Sequence, residues 1–197
     1  MAKNVTWLKN LESDYERDVV RELKALGHDA VMYSYIKSSF KNRTYNLYNS
    51  YASAVYVRGA LVPSSIQFLG SPMSVKKDKK TGKTGRQTAK DYLYSHSFGA
   101  ASGEIVLVVI AAMYYAGILE AGGEKRVVTK IKDENGKVIK RTSKRSVANK
   151  GPGSRYKVIS PAKDYISQRI GEVISRVNEK YGISKMPKTR VIKGEKL

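Results

Sequence analysis

The spacing of apolar residues predicts an amphipathic helix near each end of the chain. Between about Val5 and Leu26, apolar side chains recur three, four and seven positions apart, with charged residues between them. Gly27 is expected to end this helix. The second helix is expected to begin at Ser160-Pro161, where a hydroxyl cap precedes a proline in the first turn, and to continue to Gly182. Each helix has one apolar face to bury.

Between these helices the residue types favour strands. An apolar segment from Ala54 to Val62 stops at Pro63, and a dense run of Val and Ile from Gly103 to Ile110 is typical of a central strand. The segment Ala30–Phe40, rich in Tyr and Ser, is interpreted as a short strand or an extension. Ala111–Ala121 is interpreted as a short buried helix or a turn onto the core. These strands are the most apolar parts of the chain.

Two polar excursions interrupt this pattern. Residues 64–102 are interpreted as an insertion with a flexible basic loop over 75–86, because those residues have almost nothing apolar to bury. Residues 124–157 are interpreted as a second insertion. We therefore expect a single domain over 1–182 with these two insertions, followed by an extended basic tail over 183–197.

The second insertion has the pattern of a β-hairpin. Arg126–Ile131 and Lys137–Thr142 are strand-like halves on either side of Asn135-Gly136. An Asn-Gly pair favours the left-handed conformations of a tight hairpin turn. Both halves carry Lys or Arg at frequent positions, so we expect a basic arm that stands off the core.

Positive charge is concentrated in three segments. Residues 75–90, 124–157 and 180–197 contain seven, twelve and six Lys or Arg against one, three and one Asp or Glu, which accounts for the whole net charge of +20. This density indicates nucleic acid, an anionic surface or an acidic protein as partner, and charge alone does not choose among them. The candidate contacts with DNA or a partner are Lys76, Lys77, Lys79, Lys80, Lys83, Arg86, Lys125, Arg126, Lys130, Lys132, Lys137, Lys140, Arg141, Lys144 and Arg145.

Cysteine content and apolar run length exclude several classes. The chain has no cysteine, which excludes disulfides and thiolate metal sites. The N-terminus lacks an apolar core with a cleavage site, so no signal peptide is expected. The longest apolar run, Ile105–Leu119, is about 15 residues long and contains Tyr114 and Gly117, which makes it too short and too polar to span a bilayer. No membrane partner is expected.

The residues with catalytic or ligand-binding potential form no recognisable site. Gly82-Lys83-Thr84 matches the end of a phosphate-binding loop, but the upstream glycine that such a loop requires is replaced by Lys77. His28 and His96 are far apart and have no acidic neighbours at metal-ligand spacing. A nuclease would need a carboxylate cluster for its metal ions, and acidic residues are scarce. We therefore expect no enzyme, no cofactor and no metal.

Three segments, in order along the chain, resemble motifs of the tail-completion and head-tail joining proteins of tailed double-stranded-DNA phages. Asn42–Ser50 looks like that family's Arg-Thr-Gly-Asn-Leu-x-x-Ser motif, with Tyr45 where the family usually has glycine. Ala112–Gly122 is similar to Tyr-Ala-x-x-x-Glu-x-Gly. Val158–Ala162 looks like the Phe-Leu-x-Pro-Ala that precedes the C-terminal helix, with Val158-Ile159 in place of the ring. The resemblance covers about 120 residues, with the two basic insertions between its pieces.

The resemblance implies an α+β fold with a small antiparallel or mixed sheet. Its helices, an N-terminal one and a long C-terminal one, would pack on one face of the sheet, and the extended basic loop and the β-hairpin arm would be additions. The motif residues expected to act in the fold or in subunit contacts are Arg43, Thr44, Asn46, Leu47, Tyr115, Ala116, Glu120 and Pro161.

The resemblance also implies a place in the virion. The family's proteins form rings in the neck or at the top of the tail, so we expect a homo-oligomeric ring that contacts portal, adaptor or tail proteins and surrounds double-stranded DNA. It would be made in the host cytoplasm. The alternative is a stand-alone protein that binds nucleic acid without sequence specificity, which would hold duplex DNA with a steep dependence on salt.

Overall fold

A four-stranded antiparallel sheet and a separate two-stranded sheet are joined by helices in the computed structural model. The model describes residues 2–38, 45–70, 77–99, 104–121, 124–132, 138–146 and 158–184. The predicted α+β class is confirmed. In chain order the elements are α1 (Ala2–Lys37), α2 (Asn46–Asn49), β1 (Tyr51–Val57), β2 (Ala60–Leu61), a 3-10 turn (Pro63–Ser65), β3 (Gln67–Phe68), α3 (Gly85–Ser95), β4 (Ile105–Ala111), α4 (Ala116–Ala121), β5 (Glu124–Lys132), β6 (Val138–Ser146) and α5 (Ser160–Lys180).

Strand β1 is the centre of the larger sheet. It pairs with β4 along all seven residues, and on its other side with the two-residue strands β2 and β3. The prediction that 103–110 is the central strand is therefore wrong: β4 pairs only with β1 among the described strands. The single strand predicted over 54–62 is also two strands. Arg58 and Gly59, both with positive φ (52° and 83°), form the two-residue turn that reverses the chain into β2.

Helix α1 does not end at Gly27, which corrects the prediction from sequence. It continues as helix to Lys37, through most of the segment interpreted as a short strand or extension. Gly27 lies where α1 crosses the sheet, and a Cβ at that position would come within 2.8 Å of both Leu107 Cδ1 and Ser53 Oγ. The glycine thus allows the helix to approach the sheet closely and does not terminate it.

Helix α3 covers the opposite face of the sheet, so the expectation of helices on one face only is wrong. Alternate residues of β1 point to opposite faces. Ala52, Ala54 and Tyr56 pack against Ala89 and Leu93 of α3, while Val55 packs among residues of α1 and α5. Residues 64–102 therefore contribute β3 and α3 to the packed core and are not only an added loop. The local signal was a capping box, in which Thr84 and Gln87 bond reciprocally.

The predicted β-hairpin is confirmed and is longer than expected. Strands β5 and β6 pair over nine positions, from Glu124 opposite Ser146 to Lys132 opposite Val138. The predicted turn at Asn135-Gly136 lies outside the described residues. Helix α5 begins at Ser160 with a proline in its first turn, as predicted, and packs along α1. The N- and C-terminal helices thus lie side by side on one face of the sheet.

Candidate functional site

The backbone of Val158, immediately before α5, is a meeting point for distant parts of the chain. Its carbonyl oxygen accepts a hydrogen bond from Ser34 Oγ of α1 at 2.6 Å and another from the Tyr51 hydroxyl of β1 at 2.8 Å. The Val158 side chain is buried. We call Val158, its hydrogen-bond partners and the apolar residues packed around them the Val158 junction.

Glu120, at the end of α4, completes the junction. Its carboxylate accepts hydrogen bonds from the backbone N–H groups of Val158 (2.5 Å), Ile159 (2.8 Å) and Ser160 (3.2 Å). The first amides of a helix have no intrahelical acceptor, and the N-cap residue Ile159 has no side chain that could supply one. A negative charge at a helix N-terminus is also favoured by the helix dipole. Glu120 therefore caps α5 from another helix.

Tyr51 is a fixed hydrogen-bond donor in this junction. Its side chain is fully buried. Burial raises the pKa of its phenol far above the ordinary value, and the nearby negative charge of Glu120 raises that pKa further. The hydroxyl therefore keeps its proton, and the hydrogen bond to Val158, across the physiological pH range.

All three segments of the family resemblance contribute to one apolar cluster at the junction. Leu47 belongs to the first segment, and Tyr51 directly follows it. Met113 and Ala116 belong to the second segment, and Val158 belongs to the third. Tyr115 and Leu119 are partly buried and pack against the same cluster, while Pro161 is buried in the first turn of α5. Arg43 and Thr44 lie outside the described residues. The motifs are thus joined in space although they are far apart in sequence.

Asn46 connects the first segment to α3. Its buried side chain accepts a hydrogen bond through Oδ1 from the backbone N–H of Gly85 at 3.1 Å. A Cβ on Gly85 would lie 1.8 Å from the backbone oxygen of Asn46, so only glycine permits this close approach. Asn46 acts in the fold, as an acceptor for the first amide of a helix.

Tyr45, just before α2, has a left-handed backbone. Its φ is 56° and its ψ is 1°. This region is costly for residues with a side chain and is routinely used by glycine. Tyr45 is the position at which the resembling family usually has glycine, so the chain adopts there the conformation that a glycine would favour.

The described part of the basic loop forms a hydrogen-bonded turn. In its described part, residues 77–84 form a turn in which Asp78 N–H bonds to the Lys83 carbonyl and Gly82 N–H to the Asp78 carbonyl, both within 2.9 Å. The Asp78 carboxylate also accepts the N–H groups of Lys80 and Thr81. The predicted loop ends at Thr84 and not at residue 86, because α3 begins at Gly85. The flexibility of the loop stays a prediction.

Three of the loop's candidate contact residues already have partners within the chain. Lys83 Nζ lies 2.6 Å from a carboxylate oxygen of Asp91. Lys80 Nζ lies 4.3 Å from the centre of the Tyr114 ring, and the Arg86 guanidinium lies 4.3 Å from that of Phe68. Lys77 and Lys79 are on the same turn, whereas Lys76 is outside the described residues. The loop is thus attached to the core through several of its cations.

The register of the hairpin pairs positive residues with each other. Lys125 is opposite Arg145, Arg126 is opposite Lys144, and Lys130 is opposite Lys140. Like charges at directly opposite positions destabilise a strand pair. Of the remaining hairpin candidates, Lys132 is opposite Val138 and Arg141 is opposite Thr129. Lys137 lies outside the described residues. An anionic partner would relieve this repulsion.

Sequence reasoning missed Ser34, Tyr51 and the backbone of Val158 as parts of the junction. Ser34 lies in a segment that was interpreted as a short strand or an extension, and only its place on α1 brings it to Val158. No local pattern marks a residue whose partner is more than a hundred positions away. Glu120 was found only through the family resemblance.

The described residues contain no group of three or more acidic or histidine side chains that could hold a metal ion. Nor does the described part of the chain include a helix of the length and apolar character needed to cross a membrane. The chain matches no protein-family model, no curated protein and no solved structure in the comparisons made with each. Its function has to be inferred from its own residues.

Proposed function

We propose that this chain is a structural subunit of a ring in the head-to-tail connector, or neck, of a tailed phage, of the tail-completion type. The observation that carries the proposal is the Val158 junction. Glu120 of the second motif accepts hydrogen bonds from amides of the third, and Leu47 of the first lies in the same cluster, as does Tyr51, which directly follows the first motif. The three motif-like segments therefore share one apolar cluster, as parts of a single structural unit would.

The backbone of Tyr45 supports the same proposal. The family resemblance has glycine at this position, and φ here is 56°. A left-handed backbone costs an ordinary residue about 1–2 kcal/mol, so a chain rarely adopts it without a reason in the fold. Tyr45 thus has a backbone conformation that a glycine at this position would adopt at a lower cost.

In this role the subunit would bridge neighbouring rings around the DNA channel. A subunit with a net charge of +20 would repel its copies in a ring unless DNA or acidic neighbours neutralised them. Its partners would be further copies of itself, the portal, adaptor or tail proteins of the same virion, and the DNA in the channel.

The test is the assembly state of the purified protein. Sedimentation velocity and negative-stain imaging should detect closed rings with a central opening, formed by the protein alone or with the products of the genes that flank its own. A control in 1 M salt separates rings held by packed surfaces from aggregates held by charge, because salt screens charges at that concentration to about 3 Å. A protein that stays monomeric and joins no particle would overturn the proposal.

The hairpin register favours a second candidate function, a stand-alone protein that binds nucleic acid without sequence specificity. Three pairs of positive residues lie at directly opposite positions of the register, and phosphates would neutralise their charge. For this candidate, affinity for duplex DNA should fall about a thousandfold or more between 50 and 200 mM salt. Lys130→Gln with Lys140→Gln should reduce the slope of log affinity against log salt by about 2. Assembly into rings together with weak binding of free duplex DNA would exclude this second candidate function.

A further inference from the structure

The outer edge of β4 presents backbone groups that have no partner strand in the described part of the chain. On the inner edge, Arg58 N–H bonds to the Glu104 carbonyl and Ala112 N–H bonds to the Ser50 carbonyl. Because bonded and outward-facing residues alternate in an antiparallel pair, the even-numbered residues of β4 bond to β1. The N–H and C=O groups of Ile105, Leu107, Val109 and Ala111 therefore point to the outer edge.

The sequence of β4 lacks the residue types by which proteins commonly protect an exposed edge strand. Lysine, proline and bulges are the usual protection, and the seven residues of β4, Ile-Val-Leu-Val-Val-Ile-Ala, include no charge, no proline and no glycine. All seven are only partly buried. Their two faces are covered, since Leu107 and Val109 pack towards α1 and α5 while Val106 and Val108 pack towards α3. What remains open is the row of hydrogen-bonding groups.

We propose that strand β5 of a second copy of this chain pairs with the outer edge of β4 and continues the sheet across the subunit boundary. The inference rests on the ring proposed above and names the contact that would hold it. It gives each chain one acceptor edge, β4, and one donor strand, β5, on different parts of the molecule.

Strand length selects the hairpin as the donor. The other strands at the edges of the larger sheet, β2 and β3, have two residues each, whereas β5 and β6 have nine. A two-stranded ribbon is only marginally stable by itself and gains stability from a third strand. Pairing with β4 would therefore stabilise the hairpin by adding a third strand. Of its two strands, β5 has the uncharged run Val127–Thr129 at its centre, whereas the three central residues of β6, Arg141–Ser143, include a charge.

Symmetry favours the same pairing. If β4 paired with β4 of a second copy, the contact would use the same surface on both chains and would close as a twofold dimer. Pairing of β4 with β5 joins two different surfaces. Such head-to-tail contacts repeat from copy to copy and close into a ring when the rotation between neighbouring copies adds up to a full turn.

A proline at residue 109 tests the edge directly. Val109→Pro removes an N–H that points to the outer edge and leaves the hydrogen bonds between β4 and β1 in place. Proline is tolerated on an edge strand at a position whose N–H would face outwards. Val109→Ala is the matched control, because it also shortens the side chain but keeps the N–H. In sedimentation velocity we expect Val109→Ala to assemble like the unmodified protein and Val109→Pro to remain monomeric, with unchanged far-UV circular dichroism. Equal assembly of both variants would overturn the inference.

Cysteine pairing gives a second measurement that does not depend on the proline variant. The chain has no cysteine of its own, so introduced thiols report only on each other. Val108→Cys is combined in turn with Val127→Cys, Val128→Cys or Thr129→Cys, which covers both faces of β5. Mild oxidation should link chains into a ladder in at least one combination. Dimers formed by Val108→Cys alone would indicate pairing of β4 with β4 and would overturn the inference.

The outcomes separate this inference from the proposed function. In one outcome, rings form, Val109→Pro does not disrupt them and no cysteine pair cross-links their subunits. The subunits then meet at another surface, and the ring function stands without this contact. If the unmodified protein never assembles, the ring function itself fails. If chains associate only when duplex DNA is added and Val109→Pro makes no difference, the partner of the hairpin is nucleic acid and the strand pairing is excluded.

Discussion

Glu120 is a single carboxylate that accepts three backbone N–H groups at the start of α5. Glu120→Ala should lower the free energy of unfolding by about 1–3 kcal/mol, because partly buried amides lose a charged acceptor. Glu120→Gln should cost less, since the amide oxygen still accepts while the favourable charge at the helix N-terminus is lost, worth about 0.3–1 kcal/mol. Urea unfolding followed by circular dichroism measures both values.

Glu172, exposed on α5, supplies the matched control for this prediction. Glu172→Ala and Glu172→Gln make the same changes in charge and size away from the junction, and substitutions at such surface sites are usually within about 0.5 kcal/mol of neutral. If the substitutions at Glu120 were no more costly than those at Glu172, the carboxylate would not be a cap that the fold depends on.

At the scale of elements, the packing of α1 on the sheet depends on Gly27. Alanine is a better helix former than glycine by about 1 kcal/mol, but a Cβ here would lie 2.9 Å from Ser53 Cβ, which is attached to the backbone of β1. Overpacking of this kind costs about 1–3 kcal/mol. We expect Gly27→Ala to lower the free energy of unfolding by about 1 kcal/mol, as measured by urea unfolding.

Gly171 in α5 is the matched control, because a Cβ there would meet nothing within 4 Å. Gly171→Ala should therefore raise the free energy of unfolding by up to about 1 kcal/mol. The two glycine substitutions are thus expected to have opposite signs. A gain of equal size at both positions would mean that α1 can move away from the sheet at no cost.

The elements predictable from sequence were those with a strong local signal. Helix α5 has regular apolar spacing and a Ser-Pro start, and the hairpin has two strand-like halves around Asn-Gly, so both were predicted close to their observed bounds. The meaning of Gly27 was not predictable, because a glycine can end a helix or allow close packing, and only the opposing strand decides which. Helix α3 was missed because its basic surroundings masked the capping box at Thr84.

The candidate site was predictable only in part, for a related reason. Glu120 and Pro161 were identified through the motifs that contain them, without the hydrogen bonds that give Glu120 its role in the fold. Ser34 and Tyr51 meet Val158 across 124 and 107 residues, and their contact is a product of the tertiary fold. The pairing of positive residues in the hairpin likewise depends on a register that composition cannot specify.

At the scale of the whole molecule, the N-terminal and C-terminal helices are joined by a polar cluster around Asp18. This α1 carboxylate is only 3% exposed. It accepts hydrogen bonds from Lys180 Nζ and the Tyr181 hydroxyl at the end of α5, and Arg21 lies 2.9 Å away on α1. Nearby, the Tyr15 hydroxyl donates to Asn178 Oδ1 at 2.9 Å. The cluster joins α1 to the C-terminal end of α5.

Acid should weaken the contact between α1 and α5 by protonating Asp18. Hydrogen bonds from Lys180 and Tyr181 hold the pKa of Asp18 below its ordinary value of 3.8. A lowered folded-state pKa adds stability that is complete above the unfolded-state value and is lost as the pH falls through the folded-state value. In urea unfolding from pH 7 to pH 2, the stability advantage of the unmodified protein over Asp18→Asn should therefore be constant down to about pH 5 and shrink below about pH 4.

Asp14→Asn is the control for loss of one acid from this helix, because Asp14 is a half-exposed α1 carboxylate paired with Arg17. An advantage over Asp18→Asn that did not change with pH would mean that Lys180 and Tyr181 hold the charged and protonated forms of Asp18 equally well, and that Asp18 does not make the contact between α1 and α5 sensitive to acid.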